Sequence, residues 1–244
     1  MHSRKALLRA IIAAATTSCA AVALAGLAVA AGGGSPASAF GPAPPPPASG
    51  WKIGYYTPSP HGTLSYAEAF KGAGEASLNF TSANNTALLV TSQKAKFPTL
   101  LGDLSHASGI SASFAISNAG VFTYYGEPSC NGPLDQFGPL PNVRFYFQTS
   151  NAGGFDETHY WWSNPVSQIL TNGTFTLSNT FDPSRWSDYY GHYGSDPAYA
   201  AGFEAALSNV TAIGLSYGGG CFFENGVGTM NGSGTFTLDN YDVN

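Results

Sequence analysis

The side chains of this chain that are best suited to bind a ligand are aromatic and fall in two short runs. Tyr160-Trp161-Trp162 is the first run, and the second extends from Trp186 to His192. Aromatic rings stack on the C–H faces of sugar rings, while sugar hydroxyls need planar hydrogen-bonding partners nearby. We therefore predict a binding surface for a neutral glycan built from these two runs. Its candidate residues are Tyr160, Trp161, Trp162, Trp186, Tyr189, Tyr190 and His192.

The two adjacent tryptophans cannot both fill the core from one strand. Successive side chains of a β-strand point to opposite faces, so at most one of Trp161 and Trp162 reaches the core in that way. The other is then exposed or covered by a loop. Because aromatic residues are often buried, packing of both rings under loops is the alternative reading.

A hydrolase is the second functional hypothesis. The segment Gly214-Leu215-Ser216-Tyr217-Gly218 fits the G-x-S-x-G pattern of a nucleophile elbow. That chemistry needs a helix directly after the serine, then an acid and finally a histidine. The residues that follow Ser216 are rich in Gly and Asn, and all five histidines precede it. The local context therefore does not favour an elbow.

A pair of carboxylates is the other catalytic possibility. The distance between two carboxyl groups decides a glycosidase mechanism, and the sequence does not give that distance. Turn capping is the alternative role for Asp182, Asp188 and Asp196, which precede Pro or Tyr. Asp103 with His106, Asp156 with His159 and Asp188 with His192 are suggestive pairs without a nucleophile. The candidate carboxylates are Glu127, Asp156, Glu157, Asp188 and Glu224.

Charge is scarce throughout the chain. Only 9% of the 244 residues are charged, whereas about 25% is usual for a soluble domain. High aromatic content with low charge excludes disorder of the whole chain, and the lack of basic clusters excludes nucleic-acid binding by charge. A neutral partner is therefore expected.

The first residues have the pattern of a secretory signal. Three basic residues precede a long apolar run, and a small-residue stretch ends at Ala37-Ser38-Ala39. We predict a signal peptide at 1–39, a Pro/Gly/Ala-rich linker at 40–50 and one domain at 51–244. The protein is then secreted, extracellular or associated with the cell surface, and no membrane span remains after cleavage. An uncleaved membrane anchor is the alternative, because the run from Ile11 to Ala31 is long enough to cross a bilayer.

Most of the domain has the two-residue period of β-strands. Val143, Phe145 and Phe147 alternate with more polar residues, and residues 110–116 alternate in the same way. Further strands are predicted at 86–91, 121–125, 158–162, 173–177, 211–217 and 234–243. Residues 173–179 and 234–240 are nearly the same heptapeptide, which indicates two strands with equivalent burial. A shift of the apolar phase in the last strand predicts a bulge near Asp239 and Asn240.

One helix is predicted between the late strands. Asp196 can cap it, Pro197 suits its first position, and Phe203 and Leu207 lie on one apolar face. The fold class is therefore all-β, a sandwich with one short helix.

Two cysteines follow the signal segment. Cys130 and Cys221 are predicted to form a disulfide, because secreted proteins mature in an oxidising compartment. Two separate buried thiols are the alternative.

The segment Phe97-Pro98-Thr99-Leu100-Leu101-Gly102-Asp103-Leu104-Ser105, followed by an alternating strand, resembles laminin B (laminin IV) domains. The similarity continues through the Trp-containing middle of the chain to the helix and strand at 203–216. It implies a galactose-binding-like jelly roll, a fold shared with many carbohydrate-binding modules. Such jelly rolls often carry a structural calcium near their termini, to which Asp239 or Asp242 could contribute; no other cofactor is expected.

The combined hypothesis is a secreted, non-catalytic module that binds a neutral polysaccharide, a surface glycan or a matrix polymer. A hydrolase that uses Ser216 or a carboxylate pair is one alternative. An envelope or matrix protein that binds an extracellular protein is the other.

Overall fold

The computed structural model describes residues 48–57, 64–124, 140–219 and 223–244. These residues form short β-strands connected by turns, together with 3-10 turns at Glu157–His159 and Pro183–Arg185 and a helix α1 at Ala200–Leu207. In chain order the strands are β1 (Lys52–Tyr56), β2 (Ser65–Glu68), β3 (Ala76–Phe80), β4 (Asn85–Thr91), β5 (Gly109–Asn118), β6 (Val121–Tyr124), β7 (Asn142–Gln148), β8 (Tyr160–Ser163), β9 (Gln168–Ile169), β10 (Gly173–Thr180), β11 (Trp186–Ser187), β12 (Ala212–Gly218), β13 (Val227–Met230) and β14 (Gly234–Val243).

The strands form two antiparallel sheets. The large sheet has the order β11-β8-β7-β12-β4-β1-β2, and β9, β13 and β6 pair at its margins. The small sheet has the order β10-β5-β14-β3. Consecutive strands cross between the sheets several times, as when β3 in the small sheet leads to β4 in the large one and then to β5 in the small one. The all-β sandwich predicted from the two-residue period is confirmed.

The repeated heptapeptide has a simple structural basis. Its two copies, in β10 and β14, are the antiparallel neighbours of β5 on either side. Phe114 of β5 lies opposite Phe175 of one copy and opposite Leu238 of the other. The register of β14 against β5 shifts between Leu238 and Asn240, so the predicted bulge is confirmed.

The main core lies between the two sheets and is rich in aromatic rings. Phe145 of the large sheet meets Tyr241 of the small sheet with ring centroids 5.9 Å apart, and Tyr217 meets Phe236 at 5.4 Å. Both contacts are edge-to-face, the arrangement that aromatic quadrupoles favour. The inward side chains of each strand alternate with outward ones, so this core fixes which residues occupy the outer face of the large sheet.

The helix packs its buried residues into this core and begins later than predicted. It starts at Ala200 after a turn in which the backbone N–H groups of Tyr199 and Ala200 bond to the carbonyl of Asp196. Asp196 therefore precedes the helix by a turn and does not cap it. Phe203 is buried as predicted, with its ring centroid 4.9 Å from that of Trp161.

The predicted signal peptide and residues 40–47 of the predicted linker lie outside the described residues. The last linker residues are held against the domain, since the Ser49 hydroxyl donates to the carbonyl of Ala69 at 3.0 Å. Within the described part of the chain, no helix has the length and apolar character needed to cross a membrane.

Candidate functional site

Two of the predicted ligand-binding tryptophans are core residues. Trp161 and Trp186 have no exposed surface. Trp161 packs edge-on against Phe203, and Trp186 stacks on Phe181 with centroids 5.5 Å apart. Their indole N–H groups bond to backbone carbonyls, at 2.7 Å for Trp161 and 2.8 Å for Trp186. The prediction that Trp161 and Trp186 present faces to a ligand is therefore corrected, because both rings are buried in the main core.

Trp162 points to the opposite face, as the strand period requires. It is buried on the outer face of the large sheet, in a second and smaller cluster with Leu88, Val90 and Tyr146. Its indole N–H donates to the Ser216 hydroxyl at 3.2 Å. Trp162 is covered by other rings and does not itself reach solvent. It forms a buried floor for the aromatic residues above it.

Four rings above and beside this floor form what we call the aromatic patch: Phe155, Tyr160, Tyr189 and Tyr190. Phe155, Tyr189 and Tyr190 are 58%, 49% and 65% exposed, and Tyr160 is half-buried. Phe155 stacks on Tyr160 with centroids 5.7 Å apart and meets Tyr189 edge-on at 5.2 Å. Tyr160 in turn lies nearly parallel to Trp162. The patch is a contiguous, accessible aromatic surface supported from below.

Phe155 was not among the predicted residues. It belongs to a loop in which Gly153 and Gly154 precede it and Asp156 follows it, so no strand period marks it. An isolated large apolar residue in a glycine-rich loop is the signal that could have identified it. Its contact with Tyr189 joins two loops that are more than thirty residues apart in sequence.

A buried carboxylate positions the loop that carries Tyr189 and Tyr190. Asp188 has no exposed surface, and its Oδ1 accepts bonds from the backbone N–H groups of Tyr190 and His192, both at 2.9 Å. Its Oδ2 lies 3.0 Å from Nδ1 of His192. Gly191 completes the turn with a φ of +88°, a left-handed conformation that glycine adopts without strain. Asp188 is therefore a turn-forming acid, as the alternative reading held.

His192 supports the loop from below. Its ring is parallel to that of Tyr199, with centroids 4.0 Å apart. Since the carboxylate of Asp188 faces Nδ1, that nitrogen carries the proton of the neutral imidazole. The described contacts of His192 make it a positioning residue for Tyr189 and Tyr190.

Planar amides flank the aromatic patch. The side-chain amide of Asn151 donates to the hydroxyl of Tyr160, and its oxygen lies 3.1 Å from Nδ1 of His159. Gln148 lies opposite Tyr160 in the pairing of β7 with β8 and accepts a bond from the hydroxyl of Tyr146. Amide groups of this kind offer both donors and acceptors in fixed planes, which is the chemistry that sugar hydroxyls require.

Asp156 is a capping residue beside the patch. Its carboxylate accepts bonds from the hydroxyl and the backbone N–H of Thr158, at 2.7 and 2.8 Å, and these bonds lower its pKa. Asp182 caps the turn at Pro183–Arg185 in the same way through Ser184. Both acids therefore cap turns.

Ser216 lies inside a regular strand. Residues 214–218 belong to β12, which pairs with β7 on one side and β4 on the other. The Ser216 hydroxyl donates to the carbonyl of Phe223 at 2.6 Å, accepts from Trp162 and has no exposed surface. The strand–turn–helix arrangement of a nucleophile elbow is thus not formed at this serine.

Glu224 is the carboxyl group with the most altered acidity on this face. Burial raises its pKa to about 8, and no charged neighbour contributes to the shift. Its charge would in turn disfavour ionisation of Tyr56, Tyr66 and Tyr146, whose pKa values burial has already raised. Glu224 is therefore largely protonated at neutral pH. No second carboxylate is coupled to it among the described residues, so a two-carboxylate mechanism lacks its partner there.

A buried arginine anchors the floor. Arg144 is 1% exposed and donates to the carbonyl of Ser163 and to Oδ1 of Asn142, both at 3.0 Å. Its guanidinium lies over the ring of Phe223, 4.0 Å from the centroid. This cation–π contact fixes residue 223 against the outer face.

An open depression of about 410 Å³ lies on the same outer face, over β4 and β12. Leu88, Val90 and Ala212 line its floor, and Lys52, Tyr66 and Gln148 line its rim. Tyr66 is 52% exposed, and burial of its hydroxyl raises its pKa to about 12. Tyr66 therefore keeps its proton at all physiological pH values.

Two predictions concern residues or ligands that the structure does not test. Cys130 and Cys221 both lie outside the described residues, and their disulfide stays a prediction. Asp239 and Asp242 are exposed on β14. In the described ranges, three or more His, Cys, Asp or Glu side chains are nowhere grouped so as to hold a metal ion.

A comparison of the chain with models of protein families finds no match, and a search of curated proteins finds no similar chain.

Proposed function

We propose that this protein is a non-catalytic binding module of a secreted or cell-surface protein, and that its aromatic patch binds a neutral carbohydrate. One observation carries the proposal. Three accessible rings, Phe155, Tyr189 and Tyr190, are contiguous with Tyr160 and are held by a buried carboxylate and a buried aromatic floor. Exposed aromatic residues that are held this firmly lose little conformational entropy when a ligand stacks on them.

The polar groups around the patch support a sugar rather than a purely apolar ligand. Asn151 and Gln148 provide planar amides beside Tyr160, and the tyrosine hydroxyls add donors and acceptors at the ring edges. A purely apolar ligand would use the rings but none of these polar groups. Sugar rings present C–H faces and hydroxyl edges together, which matches this mixture.

The charge of the chain supports a neutral ligand. Three of the nine basic residues and none of the 14 acidic residues precede residue 40, so the segment after the predicted cleavage has a net charge of −8. An acidic surface with few basic residues repels polyanions. Uncharged polysaccharides remain the partner class that this surface accepts.

The outer face also favours binding over hydrolysis. Ser216 is buried within β12, and Glu224 has no coupled carboxylate among the described residues. Asp156 and Asp188 are both committed to turns. The described side chains that surround the patch can stack and hydrogen-bond, and among them no two carboxylates form the pair that a glycosidase requires.

The test is retention on insoluble neutral polysaccharides, namely cellulose, xylan, curdlan and chitin, together with a glycan array. The wild-type chain is expected to be retained on at least one of them, and Tyr189→Ala and Tyr190→Ala are each expected to weaken retention about tenfold. Phe70→Ala is the matched control, because Phe70 is 53% exposed but lies beside β3.

Three results would overturn the proposal. Failure of the folded wild-type chain to bind any neutral glycan would remove the carbohydrate as ligand, and capture of an extracellular protein in its place would favour the protein-binding alternative. Equal retention of the wild-type, Tyr189→Ala and Phe70→Ala chains would remove the aromatic patch as the site. Release of soluble sugar from any substrate, abolished in Ser216→Ala or Glu224→Gln, would establish a hydrolase.

A further inference from the structure

The hydroxyl of Ser216 connects the floor of the aromatic patch to the turn at 223–225. It accepts a hydrogen bond from the indole N–H of Trp162 at 3.2 Å and donates one to the carbonyl of Phe223 at 2.6 Å. The ring of Phe223 also meets that of Trp162, with centroids 6.3 Å apart. Since Ser216 has no exposed surface, it couples the position of the turn to that of the floor.

The 223–225 turn is held on both sides of Glu224. The guanidinium group of Arg144 lies over the ring of Phe223, 4.0 Å from its centroid. The side-chain amide of Asn225 exchanges two hydrogen bonds with the backbone of Gly219, both at 2.9 Å. The backbone that carries the carboxyl group of Glu224 therefore cannot shift unless one of these two contacts is broken.

The carboxyl group of Glu224 faces a cluster of phenols. It interacts electrostatically with Tyr56 of β1, Tyr66 of β2 and Tyr146 of β7. Among the described residues, no basic side chain forms an ion pair with it. Burial raises the pKa of Glu224 to about 8, and burial also raises the pKa of each of the three phenols. Glu224 is therefore the member of this cluster that changes charge between pH 6 and pH 9.

The phenols around this carboxyl group also reach the aromatic patch. Tyr56 interacts electrostatically with Tyr189, and Tyr66 does so with Tyr160. Both residues of the patch meet the ring of Trp162, whose centroid lies 6.2 Å from that of Tyr189 and 6.3 Å from that of Tyr160. A negative charge at residue 224 therefore arises among the rings that support the patch.

Ionisation of Glu224 favours release of the turn. A carboxylate needs hydration or a cationic partner, and the surrounding rings supply neither. The pKa of Glu224 is about 8 with the turn in place, whereas a hydrated carboxyl group has a pKa close to 4.5. Release is therefore favoured progressively as the pH rises above 4.5, and this effect is complete above pH 8.

We propose that the 223–225 turn is a pH-sensitive latch on the floor of the aromatic patch. With a neutral Glu224 the latch holds Phe223 against Trp162, and with an ionised Glu224 it releases Phe223 and weakens ligand binding at the patch. This inference rests on the proposed function and names the regulation of its site. Because linkage is reciprocal, a ligand that binds over the closed floor favours the neutral form of Glu224.

The first experiment tests the latch without a ligand. The indole N–H signals of the tryptophans are followed by NMR from pH 6 to pH 9, and Trp162→Phe assigns the signal of Trp162. This signal is expected to shift or broaden with a midpoint at or below pH 8 in the wild-type chain and to stay constant in Glu224→Gln. Trp51 and Trp186, which lie in the main core, provide the internal control.

The second experiment measures affinity by calorimetry at pH 6 and pH 9. The probes are the hexasaccharides of β-1,4-glucose, β-1,4-xylose and β-1,3-glucose. A hexasaccharide that binds the wild-type chain is expected to bind at least about fivefold more weakly at pH 9 than at pH 6. Glu224→Gln should bind it equally at both pH values, whereas Glu204→Gln, which changes an exposed carboxyl group of α1, should behave as wild type. Circular dichroism establishes that each variant is folded at both pH values.

The outcomes separate the latch from the function on which it rests. If a hexasaccharide binds equally well at pH 6 and pH 9, the regulation is wrong, whether or not the Trp162 signal titrates, although the patch still binds sugar. If the Trp162 signal titrates in the wild-type chain alone but no hexasaccharide or polysaccharide binds at either pH, the proposed function is wrong, whereas the release of the turn stands.

Discussion

The two faces of the large sheet are both buried at their centre, but they are built from different side chains. On β7 the inner residues are Val143, Phe145 and Phe147, which need no hydrogen bonds. The outer residues of the same strand include Arg144 and Tyr146, and each of them has polar partners. On β7 the inner side therefore derives its stability from buried area, whereas the outer side also depends on satisfying polar groups that are costly to bury. A strand whose only task were to cover a core would not need this second, polar layer.

Removal of an inner ring is expected to have the largest effect. Phe147 is fully buried and contacts Trp186 and Phe203, so Phe147→Ala should lower the free energy of unfolding by about 3–5 kcal/mol through lost contacts and a cavity. Urea unfolding measures this loss. Phe155→Ala, in the exposed patch, should change stability by less than about 0.5 kcal/mol. Similar losses in the two variants would show that the contrast between the two regions is wrong.

Removal of Arg144 from the outer face is expected to have the second-largest effect on stability. Arg144→Ala leaves the carbonyl of Ser163 and the amide oxygen of Asn142 without their donor, and should cost about 2–4 kcal/mol. Arg144→Lys should recover little of this, since an ammonium group cannot bond in both directions as a guanidinium does. Arg185 is the matched control, because it is exposed and bonds Asn179. The prediction fails if denaturant midpoints show that Arg144→Ala and Arg185→Ala are equally stable.

Replacement of Glu224 on the outer face is expected to have a smaller effect on stability, and this effect depends on pH. The pKa of Glu224 is about 8 in the folded chain and close to 4.5 in the unfolded one. Between these values the unfolded chain releases a proton that the folded chain retains, so stability is highest below pH 4.5 and falls as pH rises through 8. Glu224→Gln should remove this fall and be more stable than wild type at pH 8 by on the order of 2–3 kcal/mol, since partial exposure reduces the full value.

Thermal unfolding at several pH values measures this dependence. Glu204→Gln changes an exposed carboxyl group of α1 and provides the comparison. If Glu224→Gln and wild type lose stability in parallel between pH 5 and 8, Glu224 is ionised in the folded protein and the outer layer is better hydrated than its contacts indicate.

A smaller loss of stability than at Phe147, Arg144 or Glu224 is expected at Asp188, in the loop that carries the patch. Asp188→Ala leaves the backbone N–H groups of Tyr190 and His192 without acceptors and should cost about 1–2 kcal/mol. Its effect on retention by polysaccharide should be as large as that of Tyr189→Ala, because the loop no longer holds the two tyrosines in place. Retention equal to wild type would show that the patch does not depend on this loop for its geometry.

The two-residue period predicted the strands because the alternation of inward and outward side chains is a local property of the chain. Alternation in β7 and β5 indicated inward and outward residues correctly, and the phase change at Asp239 indicated the bulge. The same rule assigned Trp161 and Trp162 to opposite faces. Each of these features depends on neighbours only a few residues away, so a linear pattern is sufficient to identify it.

Burial of the tryptophans could not be predicted in this way. Trp162 is covered by Phe223, which is 61 positions later in the chain, and by Tyr189. Trp186 is enclosed because Phe147 and Phe181 meet it from two other segments. A two-residue period distinguishes one face from the other, but it does not show that a second layer packs over the outer face.

The expectation of a neutral partner rests on composition, since low charge and many aromatic residues are properties of the chain whatever its fold. The choice of which rings reach solvent follows from the packing of distant segments. Folding brings Phe155 beside Tyr189 and Phe223 beside Trp162. These relations join residues far apart in the chain, and the energy that fixes them comes from tertiary contacts rather than from local conformational preference.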